Sequence, residues 1–385
     1  MSPLFKIAAA SFVVAALALS PVDAAATPQF ARTYRVDCAH CHSSPPRLNE
    51  QGLRFVAQGY RLDGSAPMPT IPVAVWNTLD AEWRHSAELS KVFPGRVEII
   101  SAGPMGATRA SYFAEWRAVS LSLGGDGRLV NRSGRFEDLF LRVPLAPGGN
   151  ASLTAGQFRG LAQVDVSLRL SLSEPLVFSS GVPAPEPAAR ARVTGLRAFS
   201  ASGRQPAVRF EYQRVSDSSA ADGWFAAATL PFTGELTIPL TDAASFELEA
   251  RPKGVFVETF WRSGLTSIGG HLFAGDAGRR LGPFVATHAV APRVALVGGV
   301  GRFHASGVTD TRVSVGGELD LSSRTVAGVR VDHRTGQGRD PVVLLYGNGH
   351  VPFGPAAFRQ ALRLQIEQRV QSQNHATLVA FSHIF

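Results

Sequence analysis

From about residue 85 to the end of the chain, apolar and polar residues alternate with a period of two in many short segments. Leu139–Leu145 carries its apolar residues at odd positions, and Val208–Tyr212 carries them at even positions. The alternation recurs in Val313–Leu321, Leu362–Glu367 and Thr377–Phe385. Alternate side chains of a β-strand point to opposite faces, so each segment is predicted to be a strand with one apolar and one polar face.

The number of these segments favours a transmembrane barrel over a soluble β-sandwich. About 15 to 18 candidate strands follow one another, whereas a sandwich uses about seven to nine. Many are close to the 9–11 residues that cross a bilayer obliquely. Every backbone polar group must be paired in a membrane, which requires the sheet to close on itself. The predicted fold class is therefore all-β, an outer-membrane β-barrel of about 16 strands over residues 85–385.

Both ends of the sequence agree with export to a bacterial outer membrane. Residues 1–26 contain the parts of a secretory signal peptide: Lys6, the apolar run Ile7–Leu19 and the small residues Ala24–Ala26. The run is too short to span a bilayer as a helix, and an uncleaved anchor is the alternative interpretation. The alternation that ends at Phe385 resembles the terminal strand that the outer-membrane assembly machinery reads. We therefore expect a cleaved signal peptide and an outer-membrane location.

Composition and charge narrow the classes of function. Charged residues make up 18% of the chain, which also has 38 glycines and 25 prolines, as suits short strands joined by turns. The formal charge of +8 comes almost wholly from arginines that are scattered along the chain, so no nucleic-acid partner is expected. A basic lumen or rim that attracts anions or meets acidic lipid headgroups is favoured instead. Trp116, Trp224 and Trp261 are candidates for interfacial girdles.

The two cysteines of the chain are Cys38 and Cys41, and His42 follows the second one directly. In the spacing C-x-x-C-H, two thiols can add to the vinyl groups of a haem while the imidazole binds its iron. The alternatives are a disulfide, half of a zinc site and a thioredoxin-like pair, but a zinc site needs further ligands. The motif therefore predicts one covalent haem c, attached at Cys38 and Cys41, with His42 as the proximal ligand.

Residues 27–84 are predicted to form this monohaem cytochrome module. An amphipathic helix is expected over about residues 47–60, with Leu48, Phe55 and Val56 directed at the haem. A module of this size is too small to bury a self-sufficient core without its cofactor.

The second axial ligand is less constrained by the sequence. Met68, on a loop bounded by prolines, is the favoured candidate, and a thioether there would raise the reduction potential relative to bis-histidine ligation. His85, Met105 and an open sixth position are the alternatives. The histidines of the predicted barrel show no ligand spacing and are expected to be solvated or lumenal: His271, His288, His304, His333, His350 and His375.

The haem segment resembles a known family. The residues that carry the likeness are Phe30, Cys38, Cys41, His42, Leu48, Asn49, Gly52, Phe55, Gly59 and Tyr60. In this arrangement they are similar to the N-terminal module of fused monohaem cytochrome–porins, outer-membrane proteins associated with iron(II)-oxidising bacteria. The likeness covers about 35 residues in detail and is architectural beyond them. It implies that Cys38 and Cys41 are the thioether attachments and that His42 is the proximal iron ligand.

The predicted function is electron transfer across the outer membrane by a haem module held in the barrel lumen. A barrel of about 16 strands has a lumen wide enough for such a plug. An extracellular donor, with ferrous iron as the leading candidate, would supply electrons to a periplasmic cytochrome or another electron carrier. The reverse direction fits the residues equally well. The alternatives are an anion-preferring porin with a structural haem and a peroxidase-like haem enzyme with an open sixth position.

Overall fold

The structure is a computed structural model, and it describes residues 28–44, 47–62, 72–84, 89–159 and 204–384 together with 170–172 and 176, with short gaps inside the longer ranges. The predicted signal peptide, residues 1–26, lies outside the described residues, as do Met68, His85 and Phe385. Among the described residues, no helix is both long enough and apolar enough to cross a membrane.

The N-terminal segment contains two short helices and a small hairpin. Helix α1 is Pro28–Tyr34, and a single 3-10 turn follows at Cys38–His40. Strands β1 (His42–Ser44) and β2 (Arg47–Leu48) pair in antiparallel fashion, and helix α2 is Glu50–Ala57. Helix α2 begins later than the predicted residue 47 because the side chain of Asn49 accepts a hydrogen bond from Gly52 N and caps it.

All remaining described elements are strands. They are β3 (Val73–Arg84), β4 (Leu89–Pro104), β5 (Ser111–Leu123), β6 (Leu129–Asn131), β7 (Arg135–Pro144), β8 (Ala151–Arg159), β9 (Arg204–Val215), β10 (Gly223–Thr237) and β11 (Ser245–Pro252). They continue as β12 (Gly254–Ser263), β13 (Thr266–Gly275), β14 (Gly278–Ala291), β15 (Val294–Ala305), β16 (Val308–Ser322), β17 (Thr325–Thr335), β18 (Val342–Phe353), β19 (Gln360–Gln371) and β20 (Asn374–Ile384).

Strands β3 to β20 form a closed antiparallel barrel, and the ring is completed by the pairing of β20 with β3. The eighteen strand segments exceed the predicted number of about 16 because two strands are interrupted. Strand β5 pairs with both β6 and β7, and β10 pairs with both β11 and β12. The breaks fall beside Gly134 (φ 78°) and Gly254 (φ 155°), whose positive φ angles let the strand bend.

The barrel wall also begins earlier than the sequence predicted. Strand β3 has 12 residues, pairs with β4 and β20, and covers Val73–Arg84, which the sequence predicts as part of the haem module. The boundary at residue 85 is therefore wrong for these residues. The alternation of β3 is obscured because Trp76 lies beneath the guanidinium of Arg96, at 5.0 Å, while Asn77 takes the opposite face.

The side chains of the wall are distributed inside out compared with a soluble protein. In β16, Val315, Leu319 and Leu321 are exposed, while Ser314 and Glu318, on the alternate positions, are buried. The same holds around the ring, where exposed apolar residues include Leu79, Leu141, Phe210, Leu272, Val329, Leu345 and Phe381. The polar face of each strand thus points into the lumen and the apolar face points outwards.

Ion pairs between strands fill much of the lumen wall. Arg117 contacts Glu98 at 2.8 Å and Glu137 at 3.0 Å, so three neighbouring strands are joined through one guanidinium. Arg204 contacts Asp138 at 3.0 Å and Glu115 at 3.3 Å. Because these arginines face carboxylates, the lumen wall is less basic than the net charge of the chain suggests.

Candidate functional site

The Cys38–His42 segment is held by a small set of backbone contacts. The side chain of Asp37 accepts a hydrogen bond from Cys38 N at 2.6 Å and caps the 3-10 turn. Asn49 Nδ2 donates to the carbonyl oxygens of Ala39 at 3.0 Å and His40 at 3.1 Å, and Asn49 N donates to Cys41 O at 2.9 Å. Asn49 therefore fixes the turn and also caps helix α2, which joins the two parts of the segment.

Gly52 is required by the close approach of helix α2 to this turn. A Cβ atom at position 52 would lie 2.1 Å from Cys41 O and 2.8 Å from Leu48 Cδ2. Neither Cys38 nor Cys41 is in a disulfide bond. Burial raises the pKa of the Cys41 thiol to about 11, so this thiol is protonated at neutral pH.

Aromatic rings pack the two helices together. Phe55 lies 4.9 Å from Phe30 and 5.6 Å from Tyr34 between ring centroids, both edge to face. Tyr60 stacks on Phe30 at 5.3 Å and accepts, through its backbone carbonyl, a hydrogen bond of 2.6 Å from Tyr34 Oη. Burial of Tyr34 raises the pKa of its hydroxyl, although the charge of Arg61 opposes the shift. Phe55 is buried in this aromatic cluster, at 6% exposure.

The N-terminal segment lies inside the mouth of the barrel, because strands from widely separated parts of the ring contact it. Arg47 forms an ion pair with Glu318 of β16 and another, at 2.8 Å, with Asp320. Arg142 of β7 donates to the carbonyl oxygens of Val56 and Ala57, both at 3.0 Å. The latter contact places a cation at the C-terminal end of helix α2, where the helix dipole favours it.

Further contacts show which end of the barrel is occupied. Cys38 packs with Ala31 and with Ala361 at the start of β19. Tyr60 lies 6.1 Å from Phe113 near the start of β5, and Arg32 donates to Val73 O, the first residue of β3, at 2.6 Å. We call this the terminal end, because β3 begins and β20 ends there, and the opposite end the far end.

A second piece of chain, residues 170–172, lies in the lumen against strands β18 and β19. Leu170 is buried against Leu344 and Tyr346 of β18, and its carbonyl accepts from Gln365 Nε2 at 3.2 Å. Arg330 donates to Ser171 Oγ at 2.7 Å. Tyr346 Oη donates to Glu318 at 2.8 Å, and Glu318 also binds Arg47. Residues 170–172 are thus connected to the N-terminal segment through one carboxylate.

The predicted haem-binding residues come together only in part within the described residues. Cys38, Cys41 and His42 lie on one turn at the terminal end of the lumen. Met105, an alternative distal ligand, lies in the turn between β4 and β5 and is exposed. Within the described part of the chain, no group of three or more His, Cys, Asp and Glu side chains is arranged to hold a metal ion.

Sequence reasoning missed two groups of residues at this site. Arg47 and Arg142 anchor the N-terminal segment to the wall, but nothing in their local sequence distinguishes them from the other arginines. His350 of β18 is almost completely buried, at 2% exposure, and its ring interacts electrostatically with His42. The alternation along β18 places His350 on the lumenal face together with Asn348. It does not predict that His42 lies nearby.

Comparisons with known proteins find similarity in the backbone structure but none in the sequence. No family model and no curated protein matches the sequence. Among solved structures, a mutant of the Rh. blastica porin is 8% identical with a TM-score of 0.48, covering 81% of this chain and 99% of the porin. A loop-deletion mutant of OmpT, an outer membrane protein of Vibrio cholerae, is 11% identical with a TM-score of 0.43, covering 82% and 99%.

Proposed function

We propose that this chain is an outer-membrane barrel of the fused monohaem cytochrome–porin type, and that it transfers single electrons across the membrane. The observation that carries the proposal is the position of the C-x-x-C-H segment. Cys38, Cys41 and His42 lie within a closed barrel whose outer face is apolar, so a group bound there would be enclosed by protein within a membrane-spanning wall.

The outer face supports the membrane location. Exposed apolar side chains form a band on all sides of the ring, which is unfavourable in water and favourable against lipid. Trp224 and Trp261 are directly paired across β10 and β12, and both are exposed on this outer face near the terminal end. Tryptophan is enriched where the hydrocarbon region meets the headgroups, which agrees with a girdle at that level.

The residues at the segment fit a covalent haem c. Neither cysteine is in a disulfide bond, the backbone of the turn is fixed by Asn49, and His42 follows in β1. Cys38 and Cys41 would hold the porphyrin and His42 would bind its iron. A bound haem c would supply a one-electron Fe(III)/Fe(II) couple. Met68 is the second iron ligand that the sequence favours.

The protein residues would position and shield this group. Arg47 and Arg142 fix the N-terminal segment against opposite parts of the wall. Residues 170–172 occupy part of the lumen beside strands β17, β18 and β19. An extracellular Fe(II) ion would lose one electron to become Fe(III), and a periplasmic cytochrome or similar carrier would gain it. No proton or bond need move in this step.

The rival function is an anion-preferring porin with a structural haem. The described lumen argues against it, because its arginines are largely paired with carboxylates and the mouth is filled by the N-terminal segment. A peroxidase-like enzyme would require an open sixth position on the iron.

The test uses the haem-loaded chain in liposomes that enclose oxidised cytochrome c. Fe(II) is added outside without oxygen, and reduction of the enclosed cytochrome is followed optically. We expect reduction with the native chain and none with the Cys38→Ala/Cys41→Ala variant, which keeps the barrel. Equal reduction by both chains would show that Fe(II) passes through a pore and would contradict the proposal. A high-spin haem that turns over peroxide would instead favour the enzyme.

A further inference from the structure

His350 is a buried side chain without the hydrogen bonds that such a group normally has. It is 2% exposed, and both Nδ1 and Nε2 lack a hydrogen-bond partner among the described residues. A buried polar group left unpaired costs about 1–3 kcal/mol. The nearby Arg363 bonds to Asn348 Oδ1 at 2.6 Å, and the backbone of Arg324 gives the ring only a favourable electrostatic contact, without a hydrogen bond of normal geometry. An unpaired imidazole in such a position points to a ligand.

The strand register places His350 next to the C-x-x-C-H segment. On β18 and β19, His350 pairs with Arg363, and Pro352 pairs with Ala361. Ala361 packs against Cys38, so the first cysteine lies one lumen-facing position away from His350 along the wall. The position of His350 is fixed by a backbone bond from His350 N to Arg324 O, at 3.1 Å.

His42 approaches His350 from the N-terminal segment. It lies in β1, where it pairs with Leu48 beside Arg47, and Arg47 is anchored to Glu318 of β16. The rings of His42 and His350 are close enough to interact electrostatically, and the other charged groups that act on His350 are Arg324 and Arg363. Two imidazoles, one from the N-terminal segment and one from the barrel wall, therefore lie in the same part of the barrel mouth.

We propose that His350 is the second axial ligand of the haem iron, with His42 as the first. The inference rests on the proposed function, because it requires haem c at Cys38 and Cys41. Neutral imidazole is a common iron ligand, and ligation would satisfy one of the two unpaired ring nitrogens. The wall of the barrel would then share the cofactor with the N-terminal segment, and bis-histidine ligation would give a lower reduction potential than the His–Met pair expected with Met68.

The test is the spin state of the ferric haem in the full-length purified chain, by optical and electron paramagnetic resonance spectra. The native chain is expected to be low-spin. His350→Ala is expected to become predominantly high-spin, and added imidazole is expected to restore the low-spin spectrum. His350→Met should stay low-spin, show the charge-transfer band of methionine ligation and raise the potential. His304→Ala is the matched control, because His304 is exposed at the far end and bonds to Thr309 at 3.1 Å.

Two results would overturn the ligand assignment while leaving the proposed function in place. One is a low-spin spectrum that His350→Ala leaves unchanged and that Met68→Ala converts to high-spin. The other is a native chain that is already high-spin. A native chain that carries no covalent haem would overturn the proposed function itself and the assignment with it. If His350→Ala does not fold, as judged by loss of heat-modifiable mobility, His350→Met and His350→Gln decide between these outcomes.

Discussion

Arg47 of the N-terminal segment is paired with Glu318 of the barrel wall across 271 residues of sequence. The side chains are 2% and 3% exposed. Breaking a buried pair from one side leaves an uncompensated charge, which costs about 3–5 kcal/mol, whereas replacing both partners by apolar residues is often neutral. Removal of either partner alone is therefore expected to weaken the attachment of the N-terminal segment to the wall.

We expect Arg47→Met to release the N-terminal segment from the barrel mouth, because Glu318 would be left buried and unpaired. Protease cleavage within residues 28–62 should rise at least tenfold while the barrel stays intact on a gel. The double variant Arg47→Met/Glu318→Met should recover much of the protection. Arg54→Ala, an exposed position on helix α2, serves as the control. Unchanged cleavage in Arg47→Met would contradict the anchoring role.

Gly52→Ala is expected to lower the yield of haem-loaded protein several-fold. The added methyl group would lie 2.1 Å from Cys41 O and would force helix α2 away from the turn. Overpacking of this kind costs about 1–3 kcal/mol. The measurement is haem absorbance per mole of protein. Gly317→Ala is the control, since the nearest atoms to its added methyl group are 3.8 and 3.9 Å away. Equal haem content in both variants would show that the turn tolerates displacement.

The Cys38→Ala/Cys41→Ala chain should fold without covalent haem. None of the strand pairings that close the ring involves the N-terminal segment, and Arg47 and Arg142 still anchor it. We expect haem staining to be lost after denaturation while heat-modifiable mobility is kept. A variant that loses its barrel as well would show that the cofactor is needed for assembly.

Val315→Arg is expected to destabilise the barrel in a bilayer by about 2–4 kcal/mol, because the charge would lie near the middle of the hydrocarbon region. Val315 is 57% exposed and lies midway along β16. Val92→Arg places the same charge at a residue that is 63% exposed but close to the far end of β4, where the expected cost is about 0–1 kcal/mol. Urea unfolding from liposomes measures both. Small and equal decreases in the free energy of unfolding of the two variants would contradict a membrane-spanning wall.

The strands were predictable where the alternation is regular. In β7 and β16 the apolar residues of the sequence pattern are the outward-facing residues of the barrel. The prediction failed at β3, where Trp76 turns inwards under Arg96 and breaks the pattern, so that Val73–Arg84 was assigned to the wrong part of the chain. The alternation in a barrel strand can be recognised from sequence only when its outward-facing side chains are apolar and its inward-facing side chains are polar.

The sequence by itself determined the period of two, the all-β barrel and the C-x-x-C-H spacing, because each depends on residues a few positions apart. Only the tertiary structure decided that His350 and His42 lie in the same part of the barrel mouth and that Arg47 pairs with Glu318. These contacts exist because the ring closes and encloses the N-terminal segment, and closure depends on strand pairings throughout the chain. An arginine or histidine on a lumenal face has the same local sequence signature whether its partner is water, a carboxylate or another imidazole.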